Sequence, residues 1–163
     1  MALALEEQRK VWRKVEQFLD SHDGGSASSQ LRQAIEAFKL AFITQKSNTA
    51  LLQFVPFSAA DITTNLGYSP LDVPAKVYVL YIKNPGNSTG TDSYITLHNA
   101  ANNASVPFIT GLIQVADDEF VYLNARGVDF TTDVTASAAT TAGGATESAA
   151  ADAGDGFLIV GAA

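Results

Sequence analysis

The sequence predicts an α+β protein, an N-terminal helical hairpin followed by an antiparallel β-sandwich of jelly-roll-like form. Three observations carry this. Apolar residues recur at spacings of three and four in the first third of the chain. From Ala75 onward they alternate in short runs rich in β-branched and aromatic residues, and clusters of Gly, Asn, Ser and Thr separate those runs.

From Leu5 to Leu19, Val11, Trp12, Val15, Phe18 and Leu19 mark one face of a helix of about 15 residues. Glu6 and Glu7 stand in its first turn, where carboxylates suit the helix dipole. Ser21-His-Asp-Gly-Gly-Ser stops it. A second helix is expected from Ser28 or Ser29 to about Thr44, with Leu31, Ala34, Ile35, Phe38, Ala41 and Phe42 on its apolar face. Ala50, Leu51, Leu52 and Phe54 fit either an extension of that helix or the start of a strand. Two helices of this length do not bury both apolar faces on each other, so they need the β-domain or a neighbouring subunit.

The division expected is a helical arm at 1–54, a linker or entry loop with room for one edge strand at 55–74, where Pro56, Pro70 and Pro74 lie, and a sandwich at 75–163. Strands are expected at 75–83, 93–98, 108–115, 119–123, 128–130, 134–137 and 157–160. The turns between them include Asn84-Pro-Gly-Asn-Ser-Thr-Gly and Asn99-Ala-Ala-Asn-Asn-Ala-Ser. Short strands at this spacing indicate a sandwich.

Composition narrows the function classes. The chain has 163 residues, 47% of them apolar and 17% charged, enough to bury a core. There is no Cys, so neither disulfides nor thiolate metal sites can form. No apolar run reaches the roughly 18 to 20 residues of a membrane span. Met1-Ala-Leu-Ala-Leu runs straight into Glu6 and Glu7, unlike a signal peptide, so a soluble protein without an export signal of its own is expected. The net charge of −7 is unevenly spread: residues 1–54 carry seven Lys/Arg against six Asp/Glu, residues 55–163 three against eleven. An acidic module with three cations is a poor ligand for nucleic acid or anionic membrane, and neither is an expected partner.

Catalytic and metal motifs find little support. Gly86-Asn-Ser-Thr-Gly90 matches the nucleophile-elbow pattern, but a strand follows it where the elbow needs a helix. His22 and His98 fall in an interhelix turn and at a strand end, and read as surface or satisfied polar residues. Asp117-Asp-Glu119 and Asp152-Ala-Gly-Asp-Gly156 carry oxygen donors but miss the spacing of a calcium loop, so they read as solvated turns. Asn87-Ser-Thr and Asn103-Ala-Ser match the glycosylation sequon by pattern alone. The expectation is a protein that is not an enzyme and holds no cofactor or metal.

Of the 26 residues from Thr131 to Gly156, 21 are Ala, Thr, Gly or Ser, yet the chain then closes on the apolar run Phe157-Leu-Ile-Val160, so it is expected to re-enter a sheet. Gly127-Val-Asp-Phe-Thr-Thr132 opens this segment. Together with Val77–Ile82, Gly90-Thr91, Tyr94–Leu97 and Phe157–Val160, that element resembles small β-sandwich modules of tailed-bacteriophage structural proteins, over about residues 75–163.

The resemblance implies a capsid decoration or cement protein at the capsid surface of a virion assembled in the host cytoplasm. Its implied partners are the major capsid protein and itself, as a homo-oligomer for which a trimer is one form. The candidate partner-binding residues are Trp12, Phe18, Ile35, Phe38 and Phe42, as apolar anchors, with Arg9 and Arg13. For Trp12, packing against the second helix or the sheet is the alternative. A tail-fibre or adhesin module would instead bind a receptor glycan through the loops at 84–92 and 99–105, with Tyr68 as its candidate aromatic; a carbohydrate-active enzyme would need convergent carboxylates.

Overall fold

A computed structural model describes residues 2–23, 29–44, 52–62, 74–83, 93–101, 109–113, 119–141 and 154–162. In chain order they form α1 (Ala2–Asp23), α2 (Ser29–Thr44), β1 (Leu52–Phe57), α3 (Ala59–Ile62), β2 (Ala75–Lys83), β3 (Ser93–His98), β4 (Ile109–Ile113), β5 (Glu119–Phe130), β6 (Thr135–Ala139) and β7 (Asp155–Ala162). Two sheets result, ordered β1-β7-β2-β5 and β4-β3-β6, with every pairing antiparallel. The α+β expectation is met. Among the described residues the strands number four and three, short of the eight that define a jelly roll.

The sequence arranges these elements in three layers. Between the sheets, Val77, Leu80, Ile82, Leu158, Val160 and Phe130 face Ile95, Leu97, Ala136 and Ala138 in one apolar core. On its other face the four-stranded sheet turns Tyr78, Val79, Tyr81, Phe157 and Ile159 toward Val11, Trp12, Val15, Leu19, Ile35, Phe38 and Phe42 of the helices. Burying a Leu, Ile or Phe side chain contributes about 1.5–3 kcal/mol, so both interfaces are strong terms. This explains why β2 and β7 read as nearly unbroken apolar runs: their sheet is covered on both sides. Along β7 the two cores take alternate residues, Phe157 and Ile159 for one, Leu158 and Val160 for the other.

In β2 the alternation slips once. Tyr78 and Val79 both join the helical core, because Val77 pairs with Val160 and Val79 with Ile159, which leaves Tyr78 without a partner on β7. On the other side Val77 pairs with Val128 and Val79 with Leu123, so Asn124–Gly127 of β5 stand opposite Tyr78 alone. Gly127 absorbs this excess at φ 72, and a Cβ there would lie 2.9 Å from Cε1 of Tyr78. Gly156 is required for a different reason: its Cβ would fall 2.1 Å from the carbonyl oxygen of Tyr81 on the paired strand.

Two expectations change. The linker expected at 55–74 begins as structure, since Val55–Phe57 complete β1 and α3 follows; Pro56 is tolerated because β1 is an edge strand paired with β7 alone. Asp61 holds the start of α3, its Oδ2 accepting from Ser58 N at 2.7 Å and from Ser58 Oγ at 2.8 Å while its own N–H donates to the Ser58 carbonyl at 3.0 Å. The strands expected at 119–123 and 128–130 are one strand, β5, carried through the Gly127 irregularity.

The connection from β5 to β6 is held by the residue that follows β3, the strand beside β6. Asn99 Oδ1 accepts from the backbone N–H of Thr131 at 2.9 Å, Thr132 at 2.8 Å and Asp133 at 3.3 Å, while its Nδ2 donates to Thr131 Oγ1 at 3.2 Å. The Phe-Thr-Thr element thus combines a fully buried ring, Phe130, with a side-chain-clamped turn.

Candidate functional site: the helical layer

Helix α1 lies over β1 and α2 over β5, so the pair spans the four-stranded sheet from edge to edge. The apolar positions expected to anchor a partner anchor the helices to their own sheet instead. Trp12, Ile35, Phe38 and Phe42 are buried and Phe18 is half-buried. Phe18 meets Phe54, Tyr81 and Phe157 edge-on at centroid distances of 6.2, 6.1 and 5.2 Å, Phe42 meets Tyr78 at 5.1 Å, and Trp12 meets Phe38 at 6.0 Å. The physical reason is the second apolar face of β2 and β7, which the helices cover. Within this chain these five are core, and the packing of Trp12 against the second helix, the alternative to its role as a partner anchor, is what the structure has. Arg9 and Arg13, in contrast, are exposed.

What the layer leaves open is a cleft of about 350 Å³ between α1 and α2. Its apolar lining is Trp12, Val15, Leu19 and Ile35; its charged lining is Glu16, Asp20, Arg32, Glu36 and Lys39. Arg32 reaches across from α2 to Asp20 of α1 at 2.6 Å, and Lys39 lies 3.7 Å from Glu36. The indole N–H of Trp12 is buried and finds no acceptor among the described residues, an omission that costs about 1–3 kcal/mol. Leu40, 65% exposed, projects from α2 one turn after Glu36.

The outer surface of α1 is basic along Arg9, Lys10, Arg13 and Lys14. Glu6 takes Arg9 at 2.9 Å and Glu7 takes Lys10 at 2.6 Å, whereas Arg13 and Lys14 have no ion-pair partner among the described residues.

A second polar constellation lies in the three-stranded sheet, and sequence reading did not assemble it. His98 Nε2 is 2.9 Å from Thr96 Oγ1 and 3.4 Å from Ser137 Oγ, and Thr96 Oγ1 donates to the Ser137 carbonyl at 3.1 Å. All three residues are fully buried, so the Ser–His contact has no route for a substrate and serves as internal hydrogen bonding. The signal was available: Thr96 and His98 share a face by the period of two, and Ser137 pairs with Thr96.

Other sequence candidates resolve individually. Glu119 accepts from Tyr81 Oη at 2.9 Å, and Asp155 accepts from the backbone of Ala59 at 2.9 Å. The elbow-like segment 86–90, Tyr68, Asn87, Asn103, Asp117, Asp118 and Asp152 lie outside the described residues, as does the side chain of His22. Among the described residues no three His, Asp or Glu converge as metal ligands, and no helix is long and apolar enough to cross a membrane. Comparison with protein-family models, curated proteins and solved structures gave no significant match.

Proposed function

We propose that this chain is a non-enzymatic structural protein of a tailed bacteriophage, a decoration or cement protein that binds the major capsid protein on the head and also associates with itself. The observation that carries the reading is charge segregation on a self-contained body. Residues 9–14 of α1 expose Arg9, Lys10, Arg13 and Lys14, of which Arg9 and Lys10 are paired with Glu6 and Glu7, while residues 55–163 hold eleven acids against three cations. Such a chain offers the cations of α1 to an acidic protein surface, and its net charge of −7 opposes aggregation. The residues of the phage-module resemblance lend support: Gly127, Phe130 and Phe157–Val160 build the sandwich and are suited to a durable module.

Purified chain incubated with expanded heads that lack it tests the reading by co-sedimentation. The expected result is saturable binding that weakens with added salt and in a K10E/K14E variant. No sedimentation with heads, together with retention on immobilised glycans, would replace it with the tail-fibre or adhesin reading.

A further inference from the structure

The exposed stripe of α1 on the cleft side reads Arg9, Arg13, Glu16, Asp20. The spacings are four, three and four, so the four side chains stack along one helix face. The order of signs is plus, plus, minus, minus. This pattern is antisymmetric about the point between Lys14 and Val15: turned end for end, the stripe presents each charge to its opposite.

We propose that two copies of this chain pair through their helical layers about a two-fold axis, with the two α1 helices antiparallel and centred between Lys14 and Val15. Arg13 of each copy then faces Glu16 of the other, and Arg9 faces Asp20. The inner pair is free to do this, because neither Arg13 nor Glu16 has an ion-pair partner among the described residues. The outer residues are held at home, Arg9 by Glu6 and Asp20 by Arg32, so they reinforce register more than they add contacts.

An isologous interface requires a self-complementary patch, and charge complementarity of this kind fixes register and orientation. The apolar contribution is Leu40, which stands exposed on the α2 shoulder of the cleft beside the stripe; the cleft's own apolar lining, Trp12, Val15, Leu19 and Ile35, is 6% exposed or less and belongs to the core. Facing helical layers would cover Leu40 and the cleft, while Lys10 and Lys14, about 100° round the helix from Arg9 and Arg13, stay outside this interface and remain the cations offered to the head.

The inference rests on the self-association within the proposed function and names its geometry. Its failure is separable: a chain that binds heads as a monomer or trimer sinks the two-fold pairing and leaves the capsid reading standing.

Analytical ultracentrifugation of the full chain and two charge reversals decides it, with circular dichroism to show that each variant keeps its helices. R13E and E16R each place like charges opposite one another in their own dimers, and each is expected to weaken dimerisation about tenfold or more. Mixed in equal amounts they become complementary at both sites, so the mixture is expected to recover a dimer that neither forms alone. A wild-type monomer or trimer, dimers indifferent to both reversals, or a mixture no more dimeric than its components would overturn the proposal.

Discussion

Replacing Gly127 by Ala tests whether the irregularity opposite Tyr78 is a required part of the sandwich. At φ 72 a residue with a Cβ costs about 1–2 kcal/mol over glycine. The new methyl would lie 2.9 Å from Tyr78 Cε1 and 3.1 Å from Lys76 Cβ. The Tyr78 ring cannot simply retreat, because it is buried against Phe42. Overpacking of this kind adds about 1–3 kcal/mol. Alanine also narrows the unfolded ensemble, which offsets about 0.4–1 kcal/mol. The net is a destabilisation of about 3 kcal/mol, or about 6–12 °C in Tm for a chain of this size. Urea unfolding followed by circular dichroism and by the fluorescence of Trp12 measures it. A midpoint unchanged or raised would refute the reasoning, and with it the place of this glycine in the Gly-Val-Asp-Phe-Thr-Thr element.

Other substitutions probe the remaining layers. Trp12→Phe removes an indole N–H that has no acceptor among the described residues, so its cost in thermal melts is expected to stay below about 1.5 kcal/mol, whereas Phe42→Ala empties the helix–sheet core and should cost about 3–5 kcal/mol. Ser137→Ala takes a hydroxyl from the buried Thr96 and His98 cluster and is expected to lower stability by about 1–3 kcal/mol in urea titrations; a neutral result would show that the cluster is dispensable. Burial pushes the Tyr78 phenol above its ordinary value of 10.0, against a lowering by Lys76 and alongside a raising by Asp129. The raised folded value favours the protonated form, so this contribution is complete below pH 10 and declines as pH rises toward the folded value. Urea midpoints measured across the alkaline range should therefore fall less steeply for Tyr78→Phe than for the parent chain.

Much of the fold was legible because local pattern and tertiary role agree. The alternating run Ala75–Lys83 and the run Ser93–His98 are strands with the expected bounds, and the three-and-four spacing of α1 and α2 marks the faces they bury. The sequence hid features whose cause is long-range. Asn124 and Gly127 look like turn formers, yet β5 continues through them because Tyr78 bulges on the neighbouring strand. The destination of the helical faces stood open between the β-domain and a neighbouring subunit, and one inference decides it: an unbroken apolar stretch from Val77 to Ile82 implies a strand covered on both sides, and the helices are its second cover. The candidate residues of the helical layer divide: Arg9 and Arg13 are exposed, while the apolar ones are interior and the cleft between the helices depends on how far apart the sheet holds them.

Gold-labelled antibody raised against the purified chain, applied to intact tailed particles from its source, measures its place most directly. Label distributed over the outer surface of the heads is the expected result. Label confined to tails or fibres, or particles that carry none, would contradict the capsid decoration reading.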